Sequence, residues 1–207
     1  MSDATSWVAL RHGAATLLLA TACSTAPAPL PAPPPPLAAP TPEVGCERIL
    51  AIEVAKHERL LRAHCEGGAV VEMPVALGRG RAGDKRVRGD ARTPEGHYRI
   101  SGPPRASRFH RFLPIDYPSL ADAATARAEG RLSEDDYRRI AAAHGLAEAP
   151  PSDTSLGGEL GLHGEGKKWR GESRFHDWTY GCIGLADADI DFIAARSAIG
   201  TPVVIAP

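Results

Sequence analysis

Residues 162–185 read LHGEGKKWRGESRFHDWTYGCIGL, and the rest of the chain is best understood from this segment outward. It opens with His163-Gly164 at the end of an apolar run, Glu159–His163 (ELGLH), which has the composition of a short strand. It closes with Thr179-Tyr180-Gly181-Cys182 ahead of a second short apolar run. A cysteine attacks a carbonyl at neutral pH only when a base or a lowered pKa supplies the thiolate. A histidine fixed on an adjoining strand is such a base, so Cys182 is the candidate nucleophile and His163 its candidate base. Gly164 and Gly181 let backbone approach the reacting atoms, and the amides around Gly181 and Cys182 are candidate oxyanion donors. Three alternatives stay open on the residues alone. Cys182 can be a buried structural thiol. His176, nearer in sequence, competes for the role of base. His163, His176 and Cys182 can also form a zinc set, although no CxxC or HExxH element accompanies them.

The 207 residues suffice for one domain with appendages. The net charge of -1 argues against a general nucleic-acid binder, and no nucleotide-type glycine loop opens a helix. Arg11 and His12 precede the apolar run AATLLLATA (14–22), a signal-peptide pattern over residues 1–22 that ends at Cys23. LATAC resembles a bacterial lipidation signal, with Ala20 where leucine is usual, so Cys23 is expected to carry lipid and hold the protein to a membrane. Residues 23–44 are then a Pro/Ala-rich extended tether, and residues 45–207 the folded part.

That folded part reads as mainly β with a few helices. Ile49–Lys56 alternates as a strand and Arg59–His64 returns as its hairpin partner. Cys46 and Cys65 flank the two ends that antiparallel pairing would bring together, which predicts a disulfide between them. Cys182 is left unpaired. Further strands are expected at Ala69–Leu77, His97–Ser101, Phe112–Ile115 and Pro202–Ala206. Helices are expected at Leu120–Glu129 after Ser119, from Ser133 to Gly145 with Asp136 completing a capping box, and after Asp187 as N-cap, with Ile190, Ile193, Ala194 and Ser197 on one face. Residues 131–158 form a helical insertion ahead of the His163 strand, placed as a lid. The loop 79–92 carries six basic side chains, which can attract carboxylates or simply be solvated. Asp177 and Trp178 line the cleft or pack its loop. Thr179 hydrogen-bonds the histidine or backbone, or is a turn residue.

In their order along the chain, Gly89-Asp90, Arg92-Thr93-Pro94-Glu95-Gly96, His163-Gly164, Asp177-Trp178-Thr179, Gly181-Cys182-Ile183 and Gly200-Thr201-Pro202-Val203 resemble the L,D-transpeptidase catalytic domain (YkuD) family, in the branch with DWT-x-GCI. The resemblance covers most of residues 49–205. It implies a β-sandwich or barrel fold, no cofactor or metal, and peptidoglycan stem peptides as substrate. It also implies a thioester on Cys182 with His163 as acid/base, an amine or water as acceptor, and acylation by carbapenems. Trp178, Thr179 and Tyr180 become candidate substrate contacts. Many members carry His or Arg where Tyr180 stands and Arg where Gly184 stands. Their absence leaves crosslinking and hydrolysis both open, and one enzyme of the DWT-x-GCIA branch hydrolyses protein–peptidoglycan links.

Overall fold

The computed structural model describes residues 45–80, 82–169 and 176–207. The expected signal segment, tether and Cys23 lie outside the described residues, as does residue 81 of the basic loop. Among the described residues no helix is long and apolar enough to cross a membrane.

Two sheets face a shared aliphatic core. β1 (Ile49–Ala55), β2 (Leu60–Cys65), β3 (Val70–Pro74), β4 (Gly96–Arg99) and β9 (Pro202–Ala206) form a five-stranded sheet in the order β3-β2-β1-β9-β4. β5 (Arg105–Ser107), β6 (His110–Pro114), β7 (Gly161–His163) and β8 (Ile183–Gly184) form a four-stranded sheet in sequence order. Period-two alternation explains the first sheet. Ile52 and Val54 of β1 are fully buried, as are Leu61 and Ala63 of β2, while Glu53 and Arg62 pair on the other face. β1 and β2 run antiparallel from Ile49↔Cys65 to Ala55↔Leu60, and Cys46 and Cys65 are joined by a disulfide. A cross-link closing a loop of that size contributes about 3 kcal/mol by chain entropy. β9 lies parallel to β1 and antiparallel to β4, which carries the C-terminal segment into the middle of the sheet.

Two segments cross between the sheets. β3 stops at Pro74 rather than Leu77, since proline has no N–H for the ladder. Beyond it Ala76 pairs with Gly184 and Gly78 with Thr179, so the chain passes from the hairpin to the strand end that carries Cys182. Likewise β4 ends at Arg99, and Ile100 pairs with Ile115 at the end of β6.

The helices are α1 (Leu120–Ala128), α2 (Glu134–Gly145), the short α3 (Gly166–Trp169) and α4 (Asp187–Arg196). The full capping box is at α1: Ser119 Oγ accepts from the Asp122 N–H and Asp122 accepts from the Ser119 N–H. At α2, Ser133 Oγ accepts from the Asp136 N–H, but the Asp136 carboxylate turns to Arg139. α4 starts one residue earlier than its sequence suggests, with Ala186 as N-cap and no side-chain cap, so Asp187 does not cap it. Within the insertion, α2 packs on α1 around Ala123, Ala126, Leu132, Ile140 and Leu156, a small core separate from the main one. Its far end meets the basic loop, where the Arg88 N–H donates to the Ser155 carbonyl at 2.7 Å and Arg131 reaches the Arg86 carbonyl.

Candidate active site

β7 and β8 are parallel neighbours in the register Leu162↔Ile183 and His163↔Gly184. Leu162 and Ile183 are 0% and 1% exposed and point into the core. Side chains alternate along a strand, so His163 projects from the opposite face. Cys182 immediately precedes β8 in the adjoining turn and packs in part against the main core. Extending the register by one residue sets Gly161 beside Cys182, while Gly184 faces His163 directly. Both neighbours of the pair thus lack a side chain.

His163 is buried, with 3% of its surface exposed. Its Nδ1 lies 2.7 Å from the Gly164 carbonyl oxygen. A carbonyl only accepts, so Nδ1 carries the proton and Nε2 is the basic nitrogen of the neutral ring. Phe109 stacks on the imidazole at 4.7 Å between ring centres, and Trp178 meets it edge-on at 5.3 Å. Burial holds the imidazole pKa below its ordinary value, helped by the Arg108 cation and opposed by the Gly164 carbonyl. Cys182 is a free thiol with a partly open face. Burial pushes its pKa up to about 11, against the pull of a backbone hydrogen bond from Gly161 and of the Lys85 ammonium. Both shifts favour the neutral forms, so the resting pair is thiol and imidazole, not thiolate and imidazolium.

The loops around the pair are tied by polar side chains bonded to backbone. Asp187 Oδ1 accepts from the Glu165 and Gly166 N–H groups, each at 3.0 Å, and clamps the turn that follows His163. A Cβ at Gly164 would lie 2.4 Å from that same oxygen. This explains why position 164 is glycine. The Thr179 hydroxyl donates to the Cys182 carbonyl at 2.7 Å and accepts from the Gly181 N–H at 3.1 Å. Thr179 therefore serves the backbone, and the Gly181 amide is engaged within the turn rather than held open for an oxyanion. Gly181 has φ 126° and a Cβ there would meet the Arg92 carbonyl at 2.7 Å, which selects glycine on both counts. Asp177 accepts from the Leu77 N–H at 3.1 Å and from Arg59 at 2.7 Å, docking the motif loop onto the hairpin. Trp178 fills the space over Gly184, where a Cβ would sit 3.1 Å from its ring. Tyr180 is 64% exposed on the rim, with the Arg79 guanidinium 4.1 Å above its ring and donating to its hydroxyl at 2.6 Å. His176 is exposed, in contrast to His163.

The Gly89-Asp90 and Thr93–Gly96 motifs organise the neighbouring loop. Asp90 accepts from Lys85 Nζ at 2.7 Å and from the amides of Arg86, Val87 and Arg92. Those bonds lower its pKa to about 2 against the opposing effect of burial. The Gly78 N–H donates to Thr93 Oγ1 at 2.8 Å, and Lys56 joins Glu95 to the Thr93 carbonyl. Neither Phe109 nor the clamp formed by Asp187 leaves a signal in the sequence. Phe109 lies in a turn between Arg108 and His110 and carries no periodic signal. Among the described residues no group of three or more His, Cys, Asp or Glu side chains is placed to hold a metal ion. A cavity of about 570 Å³ lies elsewhere, lined by β4 and the two helices through Glu95, His97, Arg99, Asp116, Asp122 and His144, and neither Cys182 nor His163 borders it.

The sequence matches the L,D-transpeptidase catalytic domain (YkuD) family over residues 49–205. No curated protein matches the chain. Among solved structures it is similar to an L,D-transpeptidase of Xylanimonas cellulosilytica, at 15% identity and a TM-score of 0.42 over 78% of this chain and 62% of that one. It is similar to Bd1075 of Bdellovibrio bacteriovorus, at 21% identity and 0.44 over 76% and 48%, and to an L,D-transpeptidase of Mycobacterium tuberculosis, at 13% and 0.46 over 77% and 58%. The chain thus spans about half to three-fifths of the length of these proteins.

Proposed function

The chain belongs to the L,D-transpeptidase catalytic domain family, and from that premise we propose that it is a cell-envelope cysteine acyl-transfer enzyme acting on peptidoglycan stem peptides. One observation carries the reading. β7 ends in His163 and is paired in parallel with β8, which Cys182 immediately precedes, and the Gly164 carbonyl fixes the tautomer that leaves Nε2 basic. Cys182 Sγ attacks the carbonyl carbon of the scissile amide while Nε2 takes the thiol proton. The C–N bond breaks, the proton passes to the departing amine, and a thioester remains. An amine or water then attacks the thioester and regenerates the thiol. With the Gly181 amide engaged by Thr179, the Cys182 amide is assigned as the backbone donor to the oxyanion. The neutral resting pair implies that the thiolate forms as substrate is attacked rather than in advance.

Hydrolysis by the same acyl-enzyme is the second reading, as an L,D-carboxypeptidase or in releasing peptidoglycan-linked protein. It is favoured by Trp178, whose ring occupies the space over Gly184 where many members of the family carry an arginine. A non-catalytic peptidoglycan-binding module has no need of the Cys182–His163 pair. The contacts of the insertion support buttressing of the 84–92 loop as its role in place of a lid. Export, with lipid on Cys23 and residues 24–44 as tether, would set the domain at a membrane facing the cell wall. Purified muropeptides incubated with wild type and Cys182→Ala and resolved by mass spectrometry test the reading. Crosslinked products indicate transfer and shortened or released peptides indicate hydrolysis, both absent in the variant. No product, together with no carbapenem adduct on Cys182, would sink it.

A further inference from the structure

The basic loop holds several cations, and most have an evident task within the fold. Lys85 is buried against Asp90, Arg86 pairs with Glu129, and Arg92 donates to the Asp84 carbonyl. Arg88 lies with its aliphatic part against Gly157 of the insertion. Arg79 differs. Among the described residues its guanidinium meets only an aromatic ring and a phenol, those of Tyr180, and no carboxylate lies within ion-pair distance. Its backbone is fixed beside the site, since the Arg79 N–H donates to the Thr179 carbonyl at 3.0 Å. The cation is therefore exposed and pre-oriented, and it stands on the residue two before Cys182.

We infer that Arg79 is a specificity-determining residue that binds the free α-carboxylate of the residue released in acylation, an inference that rests on the functional reading above. The chemistry places such an anion near the thiol. The released residue is joined through its amine to the attacked carbon, and standard bond lengths keep its carboxylate carbon within about 4 Å of that carbon. The Tyr180 stack fixes the plane of the guanidinium and its hydroxyl occupies one donor. The other N–H groups stay available for the two-point contact that a carboxylate accepts. No cation comes from position 184, because Gly184 has no side chain and Trp178 fills its space. Among the described residues, the other arginine stacked on an aromatic ring of the site is Arg108 over Phe109, on the imidazole side of the pair.

A matched pair of substrates tests this: a stem-type peptide ending in a D-residue with a free carboxylate, and the same peptide as its C-terminal amide. Wild type turns over the acid with the lower KM. Arg79→Gln raises KM for the acid about tenfold, as for an exposed charge-assisted contact, leaves kcat within about twofold and leaves the amide unaffected, so the preference for the acid disappears. Arg79→Lys retains part of the preference, because the charge survives without the two-point geometry. A preference that Arg79→Gln leaves intact, or that Arg108→Gln abolishes instead, overturns the inference. An equal loss on both peptides also overturns it, since that is the mark of a structural role. If wild type converts neither peptide and forms no thioester, the functional reading itself falls, and the inference with it.

Discussion

In the five-stranded sheet the side chains that matter are aliphatic and placed by strand alternation: Ile52, Val54, Leu61, Ala63, Val203 and Ile205 are buried, and a disulfide closes the first hairpin. Around Cys182 they are polar, bind backbone, and in two cases reach far along the chain. Asp177 holds Leu77, Asp187 holds the turn after His163, Thr179 closes the turn into Cys182, and Asp90 gathers the 85–92 loop. Burial in the first region is non-directional and sets stability. Hydrogen bonds in the second are directional and contribute about 1 kcal/mol each to stability, yet they fix positions to fractions of an ångström. Stability and activity should therefore separate by region.

The largest expected effect falls on the second region alone. His163→Gln lowers kcat/KM for thioester formation by about 10² to 10⁴, with melting measured by circular dichroism little changed. In wild type the acid limb of the pH–rate profile lies below the ordinary histidine pKa near 6.5, because burial depresses the imidazole. The same depression makes a contribution to stability that is present above about 6.5 and lost as pH falls toward the folded-state value. An acid limb above 6.5 would contradict the depressed imidazole pKa. Next comes the first region. Ile52→Ala costs about 2–5 kcal/mol in denaturant unfolding, while kcat/KM per folded molecule stays within about twofold. A large loss of activity in the folded fraction would break the comparison. The smallest effect is expected at Asp187→Ala, which removes the clamp on Glu165 and Gly166. It lowers kcat about tenfold with KM unchanged and stability reduced by about 1 kcal/mol. A change in KM alone would place Asp187 in substrate contact rather than in positioning.

The same division explains what could be read from sequence. β1, β2 and β9 announce themselves by alternation, and Cys46 and Cys65 lie at the ends that the hairpin joins. The His163 strand and the turn carrying Cys182 are legible because glycine, a short apolar run and a reactive side chain occur together. The crossing at Pro74 is not, since a proline at a strand end also fits a longer strand with a kink. Asp187 suggested a helix cap, its commonest local use, and only the fold reveals that its partners are 21 and 22 residues upstream. The Asp177 bond to Leu77 spans 100 residues, and a side chain bonded to distant backbone leaves no periodic trace. Phe109 stacks on His163 from a loop for the same reason.

The proposed function depends above all on Cys182 carrying the acyl group. Intact-protein mass spectrometry after brief incubation with a stem peptide measures this directly. Wild type should gain the mass of the acyl portion without the released residue, mapped to the peptide containing Cys182 and discharged by hydroxylamine, and Cys182→Ala should gain nothing. Product formation by Cys182→Ala at the wild-type rate, or an acyl group mapped to another residue, would contradict it.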